Sequence, residues 1–339
     1  MAIADKLQTV AFGVIDVRIA LNEFDSSLGS GHINTLDDDI RSIYRATIVF
    51  MQNPDRIVRS VNSGTTVSAL CNNSNISISD VKKVIIKNEM TSIGSSCFEN
   101  CTNLISVNIP TSITSINNNA FNNCTKLPSI TIPSSVTSIG TNAFKNCSNL
   151  INFTNLSTAL ISAQTNDAWS CGNGTGIFET YGDVKRIGSQ NINFKQIIIH
   201  GNLDNNSGYY LSRSSTLEII KIGGNLTAST SKGAVNALLN TYDSESNLKF
   251  IEVGGTITGY PIQNGSGSSY IGSNCIFHLK YNGIACTPSQ IELDRGGTRV
   301  SKVYVDSQSV LNQYLANSDW ATYSSKLDLW SNYTGTYKS

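Results

Sequence analysis

The 339 residues include 24 Lys plus Arg and 24 Asp plus Glu, so the net charge is zero, and only 14% of the residues are charged. A neutral surface rich in Asn, Ser, Thr and Gly argues against nucleic acid or an anionic membrane as main partner, since both are held by clustered Lys and Arg. No stretch reaches the ~18 consecutive apolar residues of a bilayer-spanning helix. Asp5 and Lys6 precede any apolar run, which is not the pattern of a secretory signal peptide.

In chain order, Ile3, Leu7, Val10, Ala11, Val14, Ile15 and Val17 recur at mostly helical spacing, with Asp5, Lys6, Gln8 and Asp16 elsewhere on the wheel. This pattern predicts an amphipathic helix, weakened by Gly13. Ser26-Ser-Leu-Gly-Ser-Gly reads as a loop. A second helix is predicted from Leu36 to Met51, with Asp37, Asp38 and Asp39 favouring its N-terminus. Residues 1–52 therefore read as a helical anchor, with Ile3, Leu7, Val10 and Val14 as its attachment or oligomerisation residues. The competing reading makes the two helices an N-terminal cap on the body of the protein. Residues 53–80, with Asn62-Ser-Gly-Thr-Thr and Asn72-Asn-Ser-Asn, read as a connector and first-coil cap.

From Val81 to Leu150 one pattern is written three times with a period of 23 residues. Ile93, Ile116 and Ile139 match, as do Phe98, Phe121 and Phe144, then Cys101, Cys124 and Cys147, then Leu104, Leu127 and Leu150. A fixed period of this size marks a solenoid, whose units bury their apolar faces by stacking on neighbours. Val81/Val84/Ile86, Leu104/Val107/Ile109 and Leu127/Ile130/Ile132 end in a period-two pattern that suits a short strand, and Pro110 and Pro133 stop two of these strands. Beyond Leu150 the pattern loosens, with Asn155 at an apolar position and an insertion across residues 152–193. It returns at Phe194/Ile197/Ile199, Leu217/Ile220/Ile222, Leu248/Ile251/Val253, Ile276/Leu279/Tyr281 and Val300/Val303/Val305. The solenoid thus spans 81–305, regular over 81–150 and irregular over 151–305.

The repeat resembles the leucine-rich repeats of BspA-like surface proteins, whose unit reads "IPxSVTSIGxNAFxNCxxL". That resemblance implies an α/β repeat solenoid. Residues 306–339, with Val310, Leu311, Tyr314, Leu315, Trp320 and Tyr323, resemble the closing segment of such domains and imply a helical C-terminal cap over the final coil. The opening Met-Ala-Ile-Ala-Asp-Lys-Leu-Gln-Thr-Val-Ala is similar to the start of many bacteriophage virion and tail-associated proteins.

Eight cysteines raise the questions of disulfide and metal. Cys101, Cys124 and Cys147 share one repeat position and read as buried small hydrophobes. A Cys97–Cys101 bridge is left open, and no C-x-x-C spacing points to zinc. His32, His200 and His278 are far apart in sequence. No His-Glu-x-x-His, nucleophile elbow or Walker lysine is present. Gly172-Asn-Gly-Thr-Gly reads as a turn. No cofactor, metal or catalytic residue is expected, although one sequence does not exclude a carboxylate pair assembled across coils.

The outward strand positions change along the chain. Early coils place small polar groups there, whereas later coils place Ile219, Lys221, Phe250, Glu252, His278, Lys280, Lys302 and Tyr304, a mixture suited to recognition. The expectation is a non-enzymatic virion protein, a tail or neck fibre or appendage. Its N-terminal helix would dock to other virion proteins as part of a homo-oligomer, and its solenoid would bind host surface polysaccharide or protein. The alternatives are a bacterial or protist cell-surface adhesin of BspA type and a repeat-scaffolded glycan hydrolase.

Overall fold

The 23-residue period becomes a ladder of short parallel strands. The computed structural model describes residues 49–50, 57–59, 77–86, 88, 90–157, 161–162, 171–186, 193–204, 216–228, 247–260, 274–291, 293 and 300–338. Two compact units, Met1–Cys147 and Ser148–Ser339, divide the chain, and each is a repeat β-solenoid.

In the first unit, strands Ile57–Arg59, Lys83–Ile85 and Ser106–Asn108 pair in parallel, and Val49–Phe50 adds antiparallel to the first of them. A second row, Ser92–Ile93, Ser115–Ile116 and Ser138–Ile139, runs along the other side of the coils in the register that the period predicts. Between the rows, Phe98, Phe121 and Phe144 are fully buried and stack at centroid distances of 5.0 and 5.3 Å. Ile93 and Ile116 are buried beside them, while Ile139 is half-buried. The cysteine ladder does more than fill space. Cys124 and Cys147 each donate from Sγ to the carbonyl oxygen of the phenylalanine one coil back, Phe98 and Phe121, at 3.2 Å, a use of the weak S–H donor. The described cysteines are all buried thiols, so Cys97 and Cys101 are not bridged. Burial pushes the Cys97 and Cys124 thiols up, away from the reactive thiolate. Alkylation mapped by mass spectrometry should therefore leave Cys97, Cys101, Cys124 and Cys147 unmodified until denaturant is added.

The recurring asparagines have a backbone cause. Asn100, Asn123 and Asn146 sit at φ 65°, 63° and 59°, the left-handed region that Asn tolerates better than most residues. The side chain of Asn123 also donates to Asn100 Oδ1 at 2.9 Å. These turns set the direction in which the chain re-enters the next coil.

The sequence reading is corrected at the N-terminal side. Val49 and Phe50 form a strand where the Leu36 to Met51 helix was expected, and Ile57–Arg59 is a paired strand inside the expected connector. β-branched residues at 49 and 57–58, backed by ladder hydrogen bonds, outweigh a helical spacing that ends nearby. The remainder of both expected helices, with Ile3, Leu7, Val10 and Val14, lies outside the described residues.

In the second unit, strands Asn152–Asn155, Ile177–Thr180, Gln196–Ile199, Ile219–Ile222, Phe250–Val253, Cys275–Leu279 and Val300–Val305 pair in parallel, each with the next. A return row, Ile161–Ser162, Val184–Arg186, Leu203–Asp204, Leu226–Thr227 and Ile257–Thr258, is also parallel. The described coils between these strands contain no α-helix, so the expected α/β repeat is a β repeat. One register was misread. Ile251 pairs with Phe277 and Val253 with Leu279, so the expected Ile276/Leu279/Tyr281 triad slips by two residues. A slip of two keeps every side chain on its own face, which is why periodicity could not detect it. Phe277 is buried and Tyr281 is 40% exposed. At the loosened start of this unit, buried Asn155 bonds Thr180 Oγ1 at 3.1 Å and accepts from the Ser157 amide at 3.2 Å, which satisfies the polar groups that replace an apolar pair.

Turns between the two rows are stitched by side-chain oxygens. Asp183 Oδ1 accepts from the Asn202 amide at 2.7 Å, Asn202 Oδ1 from the Asn225 amide at 2.8 Å, and Asn225 Oδ1 from the Thr256 amide at 2.9 Å. Glycine precedes this stitch because the coils approach closely. A Cβ on Gly254 would collide with the Gly223 carbonyl oxygen, and one on Gly223 with that of His200. Gly254→Ala must push two stacked coils apart, so a loss of ~2–3 kcal/mol is expected, to be read as a lower urea midpoint at unchanged slope.

The chain closes differently from the expected helical cap. Helix Gln308–Ala316 is capped by Ser307, whose side chain accepts from the Val310 amide. Its inner residues Val310 and Tyr314 are buried with Trp320. Tyr314 Oη accepts from the Ala285 amide at 2.8 Å, and Trp320 Nε1 donates to the Cys286 carbonyl at 3.0 Å. Leu315 stays 42% exposed. The helix does not end the sheet. Leu327–Leu329 adds one more parallel strand beyond Val300–Val305, and Asp328 Oδ1 accepts from the Leu329 amide at 2.8 Å, withdrawing an edge donor from pairing with another chain.

Candidate recognition face and the segment that covers it

In the strands of the second unit, residues alternate between the core and an outward face. Register puts Ile177, Gln196, Ile219, Phe250 and Ile276 in one outward column, and Glu179, Ile198, Lys221, Glu252, His278 and Tyr304 in the next. Ile219, Lys221, Phe250, Glu252, His278, Lys302 and Tyr304 lie on this outward side, and Lys280 follows the strand as an exposed residue. Not all of them are wet. Phe250 is 0% exposed, His278 2% and Tyr304 9%, where exposed positions were expected.

The cause is the chain itself. After Leu327–Leu329, residues 330–338 turn across the outward face and lay three rings on it. Trp330 stacks on His278 at 3.9 Å and 13°, and Tyr337 on Phe250 at 5.0 Å and 17°. Tyr333 stacks on Trp330 at 4.6 Å and meets Tyr304 edge-on at 5.3 Å. Such pairs stabilise by ~0.5–1.5 kcal/mol each beyond area burial.

Beneath this cover lies a charged cluster. His278 Nδ1 is 2.8 Å from Glu252 Oε2, and Nε2 is 2.7 Å from Asp306 Oδ1. Each ring nitrogen of His278 therefore faces a carboxylate oxygen from a different segment of the chain. Burial works against ionisation of Glu252, but the hydrogen bond from His278 and the charges of Lys280, His278 and Lys221 outweigh it and hold the carboxyl below its ordinary range. In the tail, the bond from Asn332, aided by the Leu329 amide and Lys302, holds Asp328 low against a smaller burial effect. Lys302 and Lys280 remain on the surface, with Lys302 donating to the Ser325 carbonyl at 3.1 Å.

Both carboxyls are depressed in the folded protein, so their contribution is complete above the ordinary carboxylate pKa and is lost as pH falls through that value to the folded one. Acid should therefore loosen the tail before it unfolds the coils. The protection of residues 327–338 against amide exchange, measured relative to the intrinsic rate at each pH, is expected to fall as the pH drops from about 5 towards 3, and Glu252→Gln should flatten that dependence.

Beyond the tail the same face is open. Ile177 is 37% and Tyr181 45% exposed. Tyr181 stacks on His200 at 4.2 Å, and His200 Nε2 lies 2.8 Å from Glu179 Oε1. Sequence reasoning passed over Ile177, Tyr181 and His200, because the insertion across 152–193 concealed the strand Ile177–Thr180. Phe178 and Thr180, buried and alternating with Ile177 and Glu179, were the available signal. Among the described residues, no three His, Cys, Asp or Glu groups are placed to share a metal ion.

The strand ladders, the stacked phenylalanines and the turn asparagines define a repeat β-solenoid. Residues 66–175 match the model of the BspA type leucine rich repeat region, in 6 copies. Three solved structures are similar. A leucine rich cell surface protein from Faecalibacterium prausnitzii is 18% identical over 79% of this chain and 75% of its own, with a TM-score of 0.30. A leucine-rich repeat protein from Bacteroides ovatus is 18% identical over 73% and 64%, with a TM-score of 0.31. The pneumococcal vaccine antigen PcpA is 14% identical over 80% and 69%, with a TM-score of 0.27. No curated protein matches the sequence.

Proposed function

We infer that the protein is a non-enzymatic recognition module of adhesin type, working at a cell surface and binding polysaccharide or protein there. The observation that carries this reading is the outward face of the second unit, where Ile177, Tyr181 and their neighbours are held in solvent by in-register parallel strands. Exposed apolar and aromatic groups on a rigid backbone suit recognition, because little conformational freedom is lost on binding. The BspA-type repeat region supports the same assignment. The bacteriophage similarity falls on residues outside those described, and the family match begins at residue 66, so attachment to a virion has no support beyond that opening stretch.

The test is adhesion of beads coated with the purified protein to bacterial and epithelial cells. Saturable binding, competed by soluble protein, is expected. Indifference to both cell types and to their extracted surface polysaccharides would overturn the reading. Release of reducing ends from those polysaccharides, lost on replacing Glu179 or Glu252, would establish a hydrolase instead.

A further inference from the structure

The outward face of the second unit already binds one polypeptide, the chain's own residues 330–338, and that segment stops partway. In the first outward column Phe250 lies under Tyr337, whereas Ile177 in the same column is 37% exposed. Strands Asn152–Asn155, Ile177–Thr180, Gln196–Ile199 and Ile219–Ile222 continue the occupied interface, with Ile177 exposed and Gln196, Ile198 and Ile219 half-buried on its outward side. Four strands span about 14 Å at the usual strand spacing, the length of four or five extended residues.

The two halves also match in chemistry. Under the tail, rings of the face (Phe250, His278, Tyr304) meet rings of the segment, and an ion pair, Lys302 with Asp328 at 3.9 Å, flanks them. In the open half, Tyr181 and His200 present stacked rings at the end of their strands, one outward step beyond Glu179 and Ile198, and the His200–Glu179 pair stands next to them. Aliphatic Ile177, Ile198 and Ile219 give a polypeptide side chain an apolar seat that a hydroxyl-rich sugar uses poorly.

We propose that the open half of this face, centred on Ile177, Ile198 and Tyr181, docks an extended segment of a partner protein that carries aromatic side chains, laid alongside the chain's own tail. This rests on the recognition reading above and adds where contact is made and with what class of partner.

The probe is a fluorescent peptide with the sequence of residues 326–338, titrated against the full-length chain by anisotropy, with soluble mannan and laminarin run in parallel by affinity electrophoresis. Saturable peptide binding is expected, weakened at least tenfold by Ile198→Asp and by Tyr181→Ser. Both substitutions are at solvent-reached positions, and circular dichroism reports that the fold is kept. Binding that ignores both but fails with Phe250→Ala marks exchange with the chain's own tail and overturns the proposal. So does retention by a polysaccharide, lost in the same variants, without peptide binding. Self-association that the same variants abolish in sedimentation assigns the face to a second copy and also overturns it. If neither probe binds and no self-association occurs, the proposal fails while the recognition reading stands or falls on the cell-adhesion result.

Discussion

Phe121→Ala is expected to remove ~4–5 kcal/mol of stability, a larger effect than that of any substitution on the outward face. Phe121 is fully buried and has an aromatic neighbour on each side, Phe98 at 5.0 Å and Phe144 at 5.3 Å. Truncating a buried phenylalanine costs ~3–5 kcal/mol through lost transfer energy and the cavity left behind. This position lies towards the upper end because two stacking contacts disappear together. In a stack of coils, stability is roughly a sum of unit and neighbour terms, so the middle ring takes two neighbour terms with it. Against total stabilities of ~5–15 kcal/mol, unfolding of this unit should move to much lower urea. Ile105, 48% exposed, supplies the contrast, since Ile105→Ser is expected to shift the midpoint by less than ~0.5 kcal/mol. Equal effects at the two positions would mean that the rings do not form the spine of the unit.

Trp330→Ala should release the tail and leave the coils folded. Trp330 contacts His278, Tyr333, Phe250 and Tyr304, so its loss removes the centre of the aromatic layer. The indole is only half-buried, which places the cost at ~2–3 kcal/mol, below that of a core tryptophan. A segment held by one layer of contacts opens locally when that layer is lost. Amide exchange of 330–338 should therefore accelerate by roughly thirtyfold or more, while strands Phe250–Val253 and Cys275–Leu279 keep their protection. Phe250, His278 and Tyr304 would then be wet, as their sequence positions suggested. Tyr337→Ala, at the margin of the layer, should have a smaller effect. Unaltered exchange in the tail of Trp330→Ala would show that the rings merely rest on the face.

The sequence by itself determined the repeat: its 23-residue period, the inward isoleucines and phenylalanines, the shared cysteine position and the alternation that separates core from face. All of these are local patterns, since each coil meets its neighbour one period away and equivalent residues necessarily stack. The asparagines were visible as composition, but their role in left-handed turns and in amide-capping ladders needed the backbone. The strand Ile177–Thr180 was hidden by unequal loops, and the two-residue slip at Phe277 was invisible because it leaves the face of every residue unchanged. Only the tertiary structure decided which part of the outward face meets solvent. A tail that returns across strands formed much earlier in the chain leaves no periodic trace in the sequence, because exposure depends on contacts between segments that share no repeat.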